Sequence, residues 1–252
     1  MKKLAVLMFA LGLFTVNAAA FSITDPFYMP EKGQLMGDLS VGFTNRDARL
    51  YKSFGINGAI QLTVAERLAF GFGIGWAKIR HATNGMQDPT ITMKYRFRDG
   101  LNDGYFLDLD AFFSPRVFDS PWRNQGGSAK GATDFGATFK AGSTEMINNF
   151  TVYAGVGAKY YGHNSMDRAG TGLTALAGAK YYIDERNSVD LSFNASNYFG
   201  FISDHIGAGF DINYSCEFEP NKAAYIIYFG AERHNKHINS YTHWGVKWRY
   251  LF

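Results

Sequence analysis

Six histidines, one cysteine and a scatter of carboxylates are the residues of this 252-residue chain that could do chemistry. His205, His234 and His243 fall in three successive segments near the C-terminus, with Glu232 two residues before His234. Neutral imidazoles with a carboxylate form a donor set for a divalent metal such as zinc. Imidazoles that gain a proton at about pH 6 could instead gate an opening. Their spacing matches no recognised metal motif. His163-Asn164-Ser165 sets an imidazole two residues from a hydroxyl, the pairing a serine nucleophile needs. Asp108-Leu109-Asp110 sets two carboxylates on one face of a strand. Cys216 stands alone, so no intramolecular disulfide braces the fold. No Gly-rich phosphate loop and no cysteine nucleophile motif stands out.

The elements that carry these residues begin after a leader. Lys2 and Lys3 are basic, Leu4 to Val16 is apolar, and Ala18-Ala19-Ala20 offers small residues for cleavage. Residues 1–20 therefore read as a secretory signal peptide. The apolar run is shorter than the roughly 20 residues of a spanning helix. No cysteine follows it, which argues against a lipid-anchored lipoprotein. The remaining sequence contains no second long apolar run. Aromatic residues make up 17% of the chain and there are 28 glycines, a composition of many short strands rather than of helices. The net charge of +3, with no basic cluster interleaved with aromatics, gives no footprint for nucleic acid. No cofactor is expected.

Alternation with a period of two runs through nearly all of residues 34–252. In the last segment Thr242, Trp244, Val246, Trp248, Tyr250 and Phe252 share one face; His243, Gly245, Lys247 and Arg249 share the other. The pattern recurs about twelve times, over 34–45, 50–63, 68–80, 89–98, 105–116, 132–142, 150–162, 170–183, 188–198, 205–215, 223–234 and 241–252. Segments of this length with one apolar and one polar face are those of a membrane barrel. Closure follows, because an open edge in lipid leaves unpaired backbone groups. The expected fold is all-β, a single antiparallel transmembrane β-barrel of about twelve strands, with ten to fourteen as the bracket. Short connections at 64–67 and 184–187 suit the periplasmic side, and longer ones at 115–131 and 163–169 the outside. Residues 21–33, with Asp25-Pro26 and Met29-Pro30, form an extended periplasmic N-terminal segment that either hangs free or tucks into the lumen.

The C-terminus, Trp248-Arg249-Tyr250-Leu251-Phe252, resembles the assembly signal of bacterial outer-membrane β-barrel proteins of the porin-like class. In that class Trp248, Tyr250 and Phe252 would be read by the barrel-assembly machinery. The resemblance implies a cell outer membrane location, with membrane lipid and lipopolysaccharide as partners. Arg46, Arg49, Arg80, Arg116, Arg123, Arg168 and Arg233 gather at the outer end, where guanidinium suits phosphate. Trp76, with Lys78 and Arg80 above it, reads as an interface anchor. Two short segments resemble motifs of enzyme families of this membrane in part. His163-Asn164-Ser165 has the His-x-Ser spacing of the outer-membrane phospholipase and lipid A deacylase families, but Met166 stands where they carry Asn. Asp108-Leu109-Asp110 has one omptin spacing at the wrong end, and Asp204-His205 lacks the other.

Parity and direction then place the interior. The periplasmic half would carry Asp38, Arg96, Arg98, Asp108, Asp110, Lys140, Lys180, Asp190, Asp211, Lys247 and Arg249 on inward positions, with signs mixed from strand to strand. Opposite charges on neighbouring strands can pair. A lumen constriction built from these side chains is expected, with Tyr153, Phe112, Tyr182 and Tyr228 adding bulk. His81, His163, His205, His234 and His243 would face the outer mouth, with His237 in a loop. The expected function is a narrow porin-like channel for small solutes. The competing class is a non-conducting surface barrel with a structural or partner-binding role, and an outer-membrane hydrolase comes third.

Overall fold

A residue pattern that is apolar on one face and polar on the other for most of its length can bury neither face alone, so it wraps around. In the computed structural model, which describes residues 22–46, 52–80, 84–118, 131–147, 149–162, 169–199, 205–235 and 240–252, it wraps into a closed antiparallel barrel. The strands are β1 (Leu35–Arg46), β2 (Lys52–Ala65), β3 (Leu68–Ile79), β4 (Asn84–Met86), β5 (Thr90–Arg98), β6 (Phe106–Ser114), β7 (Asp134–Ile147), β8 (Phe150–Tyr161), β9 (Gly170–Tyr182), β10 (Asn187–Phe199), β11 (His205–Glu219), β12 (Ala223–His234) and β13 (Tyr241–Leu251). One helical turn, α1 (Gly100–Asp103), joins β5 to β6. Apart from β4 and β5, neighbours in sequence pair antiparallel, and β1 closes the ring by pairing with both β2 and β13.

β4 and β5 both pair with β3, so together they are the fourth of twelve barrel strands. Pro89 cannot donate to a ladder, and the strand breaks across Gln87–Pro89. Two strands run further than their alternation shows. β7 reaches Ile147 rather than 142, and β11 reaches Glu219 rather than 215. Both carry a register shift near that end, between Ser143 and Ile147 and between Glu217 and Glu219. Further shifts fall at Thr63/Ala65 and Arg96/Arg98. All four lie on the rim that also holds the two ends of the barrel sequence, consistent with the preference of bulges for barrel rims. Tight turns on this terminal rim use left-handed positions at Asn149 (φ 75°) and Asn221 (φ 56°), which asparagine tolerates better than most side chains. The long connections lie on the opposite, loop rim.

The outward face is apolar and uncovered. Val156 is 65% exposed and Phe193 58%, with Leu39, Phe72, Phe139, Leu173 and Trp244 alongside. Such a belt suits hydrocarbon, not water. No helix among the described residues is long and apolar enough to cross a membrane. The inward face alternates large side chains with glycine. Extra carbon atoms at Gly42 and Gly245 would collide with the Tyr228 hydroxyl, and at Gly178 with the Tyr153 ring.

Candidate functional site: the lumen and its N-terminal insert

Residues 31–33 are exposed, and residues 22–30 lie inside the barrel. Of the two places open to them from sequence, free or tucked, they take the second. Ile23 and Phe27 are fully buried and Asp25 is 4% exposed. Their local sequence explains the shape. Asp25-Pro26-Phe27-Tyr28 forms a turn, with the Tyr28 amide donating to the Asp25 carbonyl at 3.0 Å. Asp at the first position and Pro at the second favour that turn. The Asp25 carboxylate accepts from the Phe27 amide at 2.8 Å. A second turn closes from the Asp25 amide to the Ser22 carbonyl at 2.9 Å. Turns of this kind leave carbonyl oxygens without ladder partners, and buried carbonyls need donors.

The barrel wall supplies them as cations. Arg249 on β13 donates to the Ile23 carbonyl at 2.9 Å. Lys180 on β9 donates to the Thr24 carbonyl and hydroxyl at 2.6 and 2.5 Å. Lys140 on β7 donates to the Pro26 carbonyl at 2.7 Å. Arg96 and Lys94 on β5 donate to the carbonyls of Phe27 and Tyr28, the latter at 3.1 Å. The insert thus follows an arc of wall from β13 through β9 and β7 to β5. It ends against β2, where the Gly33 amide donates to the Thr63 carbonyl at 2.8 Å. Charge-assisted hydrogen bonds of this type contribute about 1.5–3 kcal/mol each.

Side chains complete the seat. Thr151 donates to the Asp25 carboxylate at 2.7 Å, and the Tyr182 hydroxyl donates to the same oxygen. Phe27 stacks on Phe106 with centroids 4.9 Å apart and meets Tyr153 edge-on. It lies over Gly142, where a side-chain carbon would strike its ring. The Ser22 hydroxyl donates to Glu217.

The same cations also hold acids. Arg249 forks onto Asp38 with two bonds of 2.7 Å, matching their opposite positions on β13 and β1. Asp108, fully buried, takes Arg96 at 3.0 and 3.1 Å and Lys94 at 3.2 Å. Lys140 meets Asp110 at 3.3 Å. Asp190 accepts from Tyr153 at 2.8 Å rather than pairing with Lys180, its register partner. Arg98 departs from the expected ring. The register shift beside it turns it to the rim, half-exposed, where Asp103 of α1 is 3.7 Å away. Asp211 faces His243 at 2.8 Å, higher in the barrel. Lys247 has no ion pair among the described residues. Lys94, Asp25, Thr151 and Glu217 belong to the site without having been singled out from sequence. Lys94 shares strand and parity with Arg96 and could have been found.

Above the insert the lumen is open space. One cavity of about 570 Å³ has Thr24, Asp25, Pro26 and Tyr28 among its lining residues. A second, of about 580 Å³, also reaches Pro26 and extends to Tyr228 and His243. Both are lined by Asp110, Asp190, Asn213 and Lys247.

At the loop end the histidines separate. Ring centroids of His205 and His234 are 5.3 Å apart, and His205 stacks on Tyr198 at 4.4 Å. Glu232 meets His234 at 3.2 Å and accepts from the Tyr241 hydroxyl at 2.6 Å. His243 turns instead to Asp211, two strands away, across Gly230, where a side-chain carbon would block both groups. Among the described residues no three His, Cys, Asp or Glu side chains are placed to hold one metal ion. His81, His163, His237, the His163-Asn164-Ser165 set, Arg49, Arg123 and Arg168 lie outside the described residues.

No protein-family model and no curated protein sequence matches the chain. Solved structures do match in shape. The COG4313 outer membrane channel from Pseudomonas putida F1 aligns with a TM-score of 0.69 at 12% identity, over 91% of this chain and 100% of that one. The NanC porin aligns with a TM-score of 0.54 at 9% identity, over 84% and 98%. The fold is that of the outer-membrane channels. The KdgM porin, solved in complex with disordered oligogalacturonate, aligns with a TM-score of 0.52 at 9% identity over the same shares. At these identities the likeness is one of architecture, and the side chains lining the lumen have to be read from this chain itself.

Proposed function

We propose that this barrel is a narrow channel for small polar solutes in a cell outer membrane, held closed at its periplasmic end by its own N-terminal segment. The observation that carries the reading is the cavity space, lined in part by charged and amide side chains, that rests directly on residues of the 24–28 turn. The Asp, Lys, Asn and Thr in its lining, set among apolar side chains such as Phe112 and Ile226, suit a solute that exchanges water for hydrogen bonds. The outward apolar belt, the short turns on the terminal rim and the channel fold support the membrane setting. The terminal Trp248, Tyr250 and Phe252 are outward and fit capture by the barrel-assembly machinery.

The tight seat of the insert favours a second reading, a barrel that does not conduct at all. Planar-bilayer recording separates the two. The full protein should show small, brief openings, and a variant lacking residues 22–31 should show a larger and steadier conductance. Silence from both proteins would establish the non-conducting barrel.

A further inference from the structure

The charges that line the open part of the lumen are unevenly matched. Lys247 projects from β13 between Ser40 of β1 and Ile226 of β12. It lines both cavities and forms no ion pair or hydrogen bond among the described residues. Arg249 repels it and Asp38 attracts it. Asp38 is already forked by Arg249 with two bonds of 2.7 Å. On this side two cations, Lys247 and Arg249, share one acid.

On β10, beyond β12 and β11, the imbalance is reversed. Asp190 accepts from the Tyr153 hydroxyl at 2.8 Å and from the side chain of Asn213, its register partner on β11. The cation that acts on it is Lys180, whose ammonium is bonded to Thr24. Here three acids, Asp25, Asp190 and Glu217, share Lys180. Asp190 and Lys247 line the same two cavities, and so do Ile226 and Asn213 on the strands between them.

We propose that Lys247 and Asp190 form a two-point site for a small zwitterion, with its anionic group on Lys247, its ammonium on Asp190 and its methylene spacer along Ile226. Charge complementarity selects this class. A simple anion drawn to Lys247 meets Asp110, Asp190 and Asp211 in the same cavity. A simple cation drawn to Asp190 meets Lys140 and Lys247. A solute that carries both charges answers each of them, and charges taken out of water need such partners. Asn213 and Ser192 remain as hydrogen-bonding groups beside it. Amino acids with separated charges belong to this class.

The inference rests on the channel reading for its purpose, and its test reads binding rather than current. Calorimetric titration of the full protein in detergent uses γ-aminobutyrate, butyrate and butylammonium, one chain length carrying both charges, the negative one or the positive one. γ-Aminobutyrate should bind about tenfold more tightly than either, the factor of one added charge-assisted contact. Lys247→Met should lose that factor for γ-aminobutyrate and bind butylammonium more tightly than wild type does. Asp190→Asn, which keeps an acceptor for Tyr153, should lose it too and bind butyrate more tightly. Gains of opposite sign in the two variants cannot come from a damaged fold. Equal binding of the three probes, binding of none, or the same probe preference in both variants overturns the site. Selective binding by a protein that conducts neither with nor without residues 22–31 keeps the site and removes the channel. Conduction without selective binding keeps the channel and removes the site.

Discussion

The two halves of this lumen are built on different logic. In the half beside the chain ends, wall cations reach for a segment far away in sequence: Arg96 bonds Phe27 across 69 positions and Arg249 bonds Ile23 across 226. In the half beside the long loops, the side chains pair with one another within the wall: His234 meets Glu232, His243 meets Asp211 and His205 stacks on Tyr198. Only one of the two halves is built to change state. A wall that bonds to itself has one arrangement. A wall bonded to the backbone of an insert loses those bonds when the insert leaves, and water or a solute must replace them.

Substitutions should separate the halves, in falling order of effect. Asp108→Ala leaves Arg96 and Lys94 buried without their acid, which should cost about 3–5 kcal/mol; thermal unfolding should fall and the insert should loosen with it. Phe27→Ala removes a fully buried ring and should cost roughly 3 kcal/mol. That loss falls on the insert alone, so accessibility of a Cys placed at residue 24, in a Cys216→Ser background, should rise while barrel unfolding barely moves. Lys180→Met removes the donor to Thr24 and should weaken retention by about 1.5–3 kcal/mol, read as longer openings in single-channel records. His243→Ala, in the other half, should cost only about 0.5–1.5 kcal/mol and leave residue-24 accessibility unchanged. If His243→Ala frees the insert as Phe27→Ala does, the two halves are one unit and the comparison fails.

The barrel was legible in sequence because lipid outside and polar groups inside impose a period of two on every strand. The run from Thr242 to Phe252 shows this without help. Parity and strand order placed Asp38, Arg96, Asp108 and Arg249 on the inward face with opposite signs on neighbouring strands, and the register then pairs Asp38 with Arg249 and Arg96 with Asp108. What parity cannot carry is a bulge, and Arg98 was misplaced for that reason. Nor can it show the break at Pro89, which lies where a strand start was expected. The pairing of His243 with Asp211 skips a strand and depends on the gap at Gly230, which is a matter of register. The insert was hardest to place. It is held mainly by its backbone carbonyls, and carbonyls leave no mark in a sequence. Only Asp25-Pro26 hinted at the turn that presents them.

In the proposed closed channel, residues 22–31 fill the exit of a lumen that is otherwise open. Single-channel conductance of the mature protein, compared with the same protein lacking those residues, tests it most directly. Rare, small openings are expected in the first and a steady, several-fold larger conductance in the second. Equal conductance in both, at any level, would contradict it.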